Sequence, residues 1–252
     1  MPGSFTDEGI VLRRVNYGEA DRILTILTRG HGKVGVIARG VRKAGSRMAA
    51  QTDLFERSRM QLAEGRGELL VLAQAQRASG PPAGLATDAR RSACAAVVAE
   101  LTDRVLEEHH PDGAVFVLVA ESLDELGDPE RDPRRALVWF ARQMIDRLGY
   151  APELQQCVSC SRRLAEEPAT FSAAAGGLLC PDCRRDAPTA IDCPVRVIKV
   201  LRVAAAGDAT TWARLRLDHD TLATLEEIIE RELEHHLDRR LRSWDVLRAL
   251  ER

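Results

Sequence analysis

The feature that limits this chain most is a change of hydrophobic period near residue 80. Before it, apolar residues recur at the spacing of strands. "GIVLRRV" (9–15) and "RILTILTRG" (22–30) are β-rich and apolar, and "NYGEAD" between them holds turn residues. "KVGVIARG" (33–40) alternates, with Val34, Val36 and Ala38 on one side. "RMQLAEG" (59–65) places Met60 and Leu62 at period two, and "ELLVLAQAQ" (68–76) is apolar enough for burial on both faces. Five short strands with glycine-bearing turns predict a small closed β-barrel, because closure removes the exposed edges such strands otherwise offer.

"SGPPAG" (79–84) breaks this pattern and is the expected domain boundary. Beyond it the spacing turns helical. Cys94, Val97, Val98, Leu101 and Val105 fall on one helix face, as do Leu137, Phe140, Ala141, Met144, Ile145 and Leu148, with Gly149 placed to end that helix. Pro194 suits the first position of another helix. Leu222, Leu225, Ile229, Leu233, Leu237 and Leu241 form a long stripe that predicts one continuous last helix. The fold class expected is mixed: a small β-barrel domain over residues 1–80, then a helical domain over 81–252 with a module inserted at about 154–186.

That insert is defined by cysteines. Cys157-x2-Cys160 is followed, after 19 residues, by Cys180-x2-Cys183. A two-residue gap lets a tight turn aim both sulfurs at one centre about 2.3 Å away, and two such turns complete a tetrahedron. The expected cofactor is one structural Zn2+ per chain on Cys157, Cys160, Cys180 and Cys183, since four cysteines leave no open position for catalysis. The segment between the pairs is too short and polar to fold alone, so metal would supply its folding energy. Cys94 reads as core, and Cys193 as a residue preceding a helix.

Charge is divided unevenly. Residues 1–80 hold 13 Lys+Arg against 8 Asp+Glu, whereas residues 81–252 hold 23 against 30. Between Asp21 and Asp53 there is no acid at all, yet seven cations. A basic barrel beside an acidic helical part predicts a polyanion partner. The cations fall on strands 2 and 3 and the adjoining loop, where OB barrels bind nucleic acid. Arg22, Arg29, Lys33, Arg39, Arg42, Lys43 and Arg47, with Arg14 on strand 1, are the candidate nucleic-acid-binding residues, acting through phosphates with little base preference, and DNA is the ligand that the family resemblance given below implies. Aromatics in this part are few (Phe5, Tyr17, Phe55), so base stacking is expected to be minor.

Other patterns propose less. Glu107-x-x-His110 and Glu232-x-x-His235 match half of a di-iron site, but the first sits on a polar face ended by Pro111, and the glutamates of 226–234 read as the solvated side of a helix. No phosphate-binding loop, nucleophile elbow or zinc-protease motif occurs, so no enzymatic activity is expected. The longest apolar run, "AVFVLVA" (114–120), is far short of the roughly 20 residues a membrane helix needs. The opening residues show no basic leader before an apolar run. The expectation is a cytoplasmic, nucleoid-associated protein. Two other readings use the same features: an RNA-binding or transcription-related zinc protein, and a metal-dependent hydrolase.

The segment "GIVLRRVNYGEADRILTILTRGHGKVGVIARGVRK" resembles the opening of the RecO family, bacterial recombination mediators. The "GEADRI" turn and strand, the "ARGVRK" loop, the four-cysteine insert and "HHLDRRLRS" (235–243) carry the resemblance through most of the chain. It implies an OB-fold joined to a helical domain with a zinc module. It implies binding of single- and double-stranded DNA, annealing of complementary strands, contact with single-strand-binding protein, and, with RecR, loading of RecA.

Overall fold

A computed structural model describes residues 3–65, 67–79, 84–186, 189–237 and 240–250. The strands β1 (Ser4–Tyr17), β2 (Asp21–Thr28), β3 (Gly32–Ala38), β4 (Arg57–Ala63) and β5 (Leu70–Ser79) come first, with a 3-10 turn at Ala50–Thr52. Four helices follow: α1 (Gly84–Thr87), α2 (Ala89–Val105), α3 (Gly113–Leu126) and α4 (Pro133–Arg147). Next come β6 (Ala169–Ser172), β7 (Gly177–Leu179) and β8 (Ile191–Cys193). The chain ends with α5 (Val195–Ala205), α6 (Ala209–Arg214), α7 (His219–His236) and α8 (Arg242–Ala249). Contacts group the residues into two compact units, Met1–Pro133 with Leu241–Arg252, and Arg134–Arg240. Of the expected boundary at 79–84, residues 80–83 lie outside the described residues.

In the first unit the five strands close into a barrel of order β1-β2-β3-β5-β4, the small closed barrel that the strand pattern predicts and OB-like, as the family resemblance implies. All neighbours are antiparallel except β3 and β5. The residues that alternate in the sequence fill it: Leu24, Ile26, Val34, Val36, Ala38, Met60 and Leu62 are buried together. β5 departs from expectation. Among the described side chains of this strand only Leu72 is buried, because one face looks outward. Gly32, at φ 73, opens β3 where a Cβ would lie 2.6 Å from the His110 backbone, so glycine is required for segment 108–110 to pass along the strand.

Helix α2 is capped by Asp88, whose carboxylate accepts from the backbone of Arg90 and Arg91. It packs on β1, α3 and α8, which explains why Val97, Val98 and Leu101 are wholly buried. Arg91 extends from α2 and donates to the carbonyls of Leu126, Asp128, Pro129 and Arg131, so the negative end of α3 receives a buried cation. Cys94 is buried here, as its helix face predicts.

The second unit joins α4–α7 to a three-stranded sheet of order β7-β6-β8. Phe171, Leu178, Ile198, Leu201, Leu225 and Ile228 lie in its core. Two expectations are corrected here. The leucine stripe of 222–241 is not one helix: α7 ends at His236, Leu237 takes an extended conformation, and Leu241 precedes α8 in the other unit. The α7 glutamates are not all solvated either. Glu226 and Glu232 are buried, and Glu232 faces Arg142 of α4.

Candidate nucleic-acid interface and metal centre

The eight candidate cations fall into two groups. Four are engaged by acids. Arg14 and Arg22 both meet Asp53, Arg22 at 3.0 Å, and Arg22 also donates to Thr52 Oγ1 and the Ala49 carbonyl. Arg29 pairs with Glu8 at 3.3 Å and lies over the Phe116 ring. Lys33 is only 8% exposed, and its ammonium is held by the Asp103 carboxylate and carbonyl. The acid-free window predicts cations without local neutralisation. For these four, partners come from outside the window: Asp53 from beyond the loop, Glu8 from β1 and Asp103 from α2.

Arg39, Arg42, Lys43 and Arg47 form the second group. All four are exposed on the loop that follows β3. Among the described residues, none of them has a carboxylate at ion-pair distance. The loop is nonetheless fixed. Gly40, at φ 66, donates its N–H to Asp21 at 2.7 Å, Arg42 donates its backbone N–H to the Ala20 carbonyl at 2.9 Å, and the Arg42 guanidinium donates to the Gly18 carbonyl. Successive turns at Lys43, Ser46 and Ala49 carry the chain back toward β4. The result is a concentrated positive field pinned to the β1–β2 turn. Such a surface attracts polyanions and releases their counterions.

The histidine pairs do not build a metal site. His110 lies 3.6 Å from Glu107, both largely exposed, while Glu232 is committed to Arg142 and His236 stacks on Tyr150.

The four cysteines do converge. Sγ atoms of Cys157, Cys160, Cys180 and Cys183 all lie within 4.8 Å of one another, and those of Cys160 and Cys180 are 3.8 Å apart. A tetrahedral ion with bonds of about 2.3 Å to sulfur sets its ligands about 3.8 Å apart, so the donor set fits a metal ion. Each pair sits on a tight turn. Ser161, at φ 60, donates to the Cys157 carbonyl, and Cys183 donates to the Cys180 carbonyl. Gly177 opens β7 where a Cβ would lie 2.3 Å from the Glu153 carbonyl, which seats the first turn against the hairpin that carries the second.

The sulfurs differ in electrostatic setting. Burial opposes ionisation of Cys157, but N–H groups of Cys180, Cys160 and Ser159 outweigh it and lower its pKa. At Cys183 the Ser159 hydroxyl pulls downward, yet the neighbouring Cys180 and Cys160 sulfurs push the thiol upward. Hydrogen bonding to those sulfurs holds the Cys183 proton, which a metal ion would displace on binding. Cys193 lies apart in β8, its thiol against the Ile191 carbonyl and raised to about 12 mainly by burial.

Among the described residues, no helix is long and apolar enough to cross a membrane. A family model described as Recombination protein O N terminal matches residues 1–81, and one described as Recombination protein O C terminal matches residues 86–245. The chain is similar to proteins named DNA repair protein RecO. That of Symbiobacterium thermophilum is 32% identical over 245 residues, covering 96% of each chain. That of Bifidobacterium animalis subsp. lactis is 34% identical over 244 residues, covering 96% of this chain and 98% of the relative. That of Bacillus subtilis is 34% identical over 250 residues, covering 97% of this chain and 94% of the relative. With both halves matched and relatives aligned nearly end to end, the chain belongs to the RecO family of DNA repair proteins.

Proposed function

We propose that this chain is a non-enzymatic mediator that grips DNA by its phosphates through the loop 39–47. The reading rests above all on one observation: Arg39, Arg42, Lys43 and Arg47 stand exposed on a pinned loop with no acid partner among the described residues. Phosphate contacts carry little sequence information, so single- and double-stranded DNA of any sequence are ligands. Arg14, Arg22 and Arg29 contribute secondarily, since a phosphate must compete with Asp53 and Glu8 for them. Lys33 contributes to the fold instead, where burial keeps it from DNA.

Cations that bind two strands at once screen their repulsion and raise the rate of annealing. The chain accordingly anneals complementary strands, acts on DNA covered by single-strand-binding protein, and with RecR promotes loading of RecA, within the cytoplasm at the nucleoid. Its four cysteines hold Zn2+, one of the ions that a closed tetrahedral set of thiolates suits, and the ion ties the turns at 157–161 and 180–183 into one structural module. The functional division is the barrel domain, 1–80, for DNA, and the helical domain, 81–252, for support and partners.

Annealing of complementary oligonucleotides, bare and coated with single-strand-binding protein, tests this reading. Acceleration by the intact protein on both is expected. DNA cleavage that a chelator abolishes without loss of fold would contradict it in favour of a hydrolase, and preference for RNA over DNA would favour an RNA-binding role.

A further inference from the structure

We infer that Tyr17 and the outward row Val15–Ile23–Ile37 form a platform on which unpaired bases of a DNA strand stack. This deepens the phosphate reading above and rests on it.

The register defines the row. Val15 pairs with Ile23, Ile23 with Ile37, and Ile37 with Val71, so one line of apolar side chains crosses four strands of the barrel. Their neighbours Leu24, Val36 and Ala38 point into the core, which directs the row outward. Tyr17, two residues beyond Val15 on β1, shares its face.

Helices cover only part of this outer face. At the far end, Thr25 and Leu27 are buried, and Arg13 and Lys33 are tied to Asp103 of α2. At the near end, Val15 is 49% exposed and Tyr17 54%, with Ile23 and Ile37 half-buried. The other aromatics of the barrel domain are not so placed. Phe5 stacks on His31, and Phe55 is half-buried. Tyr17 thus presents its ring beside the turn to which Arg42 is bonded through Gly18, and Arg39 follows directly from the end of β3.

Charge complementarity selects the occupant. An apolar strip of flat and branched side chains, adjoined by Arg39 and Arg42, matches a chain with anionic links and flat faces; of the two acids in the adjoining turn, Asp21, opposite Tyr17, accepts from the Gly40 N–H, and Glu19 is outnumbered by the exposed cations of the loop. An unpaired strand offers both, whereas duplex bases are closed off by their own stacking. The ring takes the bases while the loop takes the phosphates, a division used by other single-strand binders. Base contact is then a substantial contribution, contrary to what the scarcity of aromatics predicts.

The test compares the full-length protein with Tyr17→Ala and Tyr17→Phe. Affinity is measured for a thymidine strand, an abasic strand of the same length, and a duplex, each across a salt series. Tyr17→Ala is expected to weaken the thymidine strand between about fivefold and a hundredfold. It should leave the abasic strand, the duplex and the salt slopes unchanged, and Tyr17→Phe should restore thymidine binding. Equal affinity of Tyr17→Ala for the thymidine strand overturns the inference. So does an equal loss on all three ligands, which would make Tyr17 only a support for the loop. An RNA strand held more tightly than DNA through Tyr17 would overturn DNA as the occupant. Failure of the unaltered protein to bind any of the three in a salt-dependent way would overturn the phosphate reading itself, and the platform with it.

Discussion

Arg142 on α4 donates from one guanidinium nitrogen to both carboxylate oxygens of Glu232 on α7, at 2.8 and 2.7 Å. Arg142 is fully buried and Glu232 is 2% exposed, and the second guanidinium nitrogen meets Asp146 at 2.6 Å. Removing Arg142 leaves Glu232 without its cation in the interior, whereas removing Glu232 leaves Arg142 with Asp146. Arg142→Ala should therefore lower the stability of the helical unit by about 3–5 kcal/mol, whereas Arg142→Met combined with Glu232→Leu should cost far less. Urea unfolding midpoints of the three proteins check this.

A second carboxylate gives a pH dependence of known sign. Glu100 accepts from the Arg242 and Ser243 backbone and from the Ser243 hydroxyl, at 3.1, 2.8 and 2.6 Å, at the start of α8. Burial would raise its pKa, but these bonds, led by the Ser243 hydroxyl, and the Arg104 charge hold it below the ordinary 4.5. The contribution of a depressed carboxylate is present above its unfolded pKa and is lost as pH falls through the folded value. Docking of α8 should thus be unaffected from neutral pH down to about 4.5 and weaken below it. Hydrogen exchange of amides 242–249 should speed up at low pH, and Glu100→Gln should speed it at pH 6.

The cysteine cluster predicts one zinc per chain by elemental analysis. Free energy on the order of 10 kcal/mol accompanies metal binding in comparable modules. A strong chelator should therefore expose 157–183 to exchange and proteolysis while the barrel stays folded. Cys160→Ser should reproduce that local loss, and Cys193→Ser should leave zinc content unchanged.

Asp53 offers a gain-of-binding test. It engages Arg14 and Arg22, so Asp53→Asn removes a negative charge beside the basic loop and weakens both pairs. DNA affinity should rise and its salt dependence should steepen by up to about 2 in logarithmic slope. Fluorescence anisotropy at three salt concentrations reads both.

Much of this fold is legible in the sequence because local pattern decides it. Val34, Val36 and Ala38 alternate because each faces the barrel core, and Met60 and Leu62 do the same on β4. The Cys-x2-Cys turns announce their convergence through spacing alone. What stayed hidden depends on partners distant in the chain. Glu232 reads as a surface residue because Arg142 lies 90 residues earlier. Lys33 reads as a free cation because Asp103 lies 70 residues later. The stripe from Leu222 to Leu241 keeps its spacing across a break, since period reports which residues want burial and not whether one helix buries them. The exposure of Tyr17 depends on where the helices stop covering the barrel, which no stretch of β1 reveals.

The most direct measurement is the salt dependence of duplex binding by Arg39→Ala/Arg42→Ala/Lys43→Ala. If these three cations hold phosphates, affinity falls alike for every sequence, and the slope of log affinity against log salt shrinks by up to about 3. An affinity and a slope equal to those of the unaltered protein would show that the loop does not hold DNA.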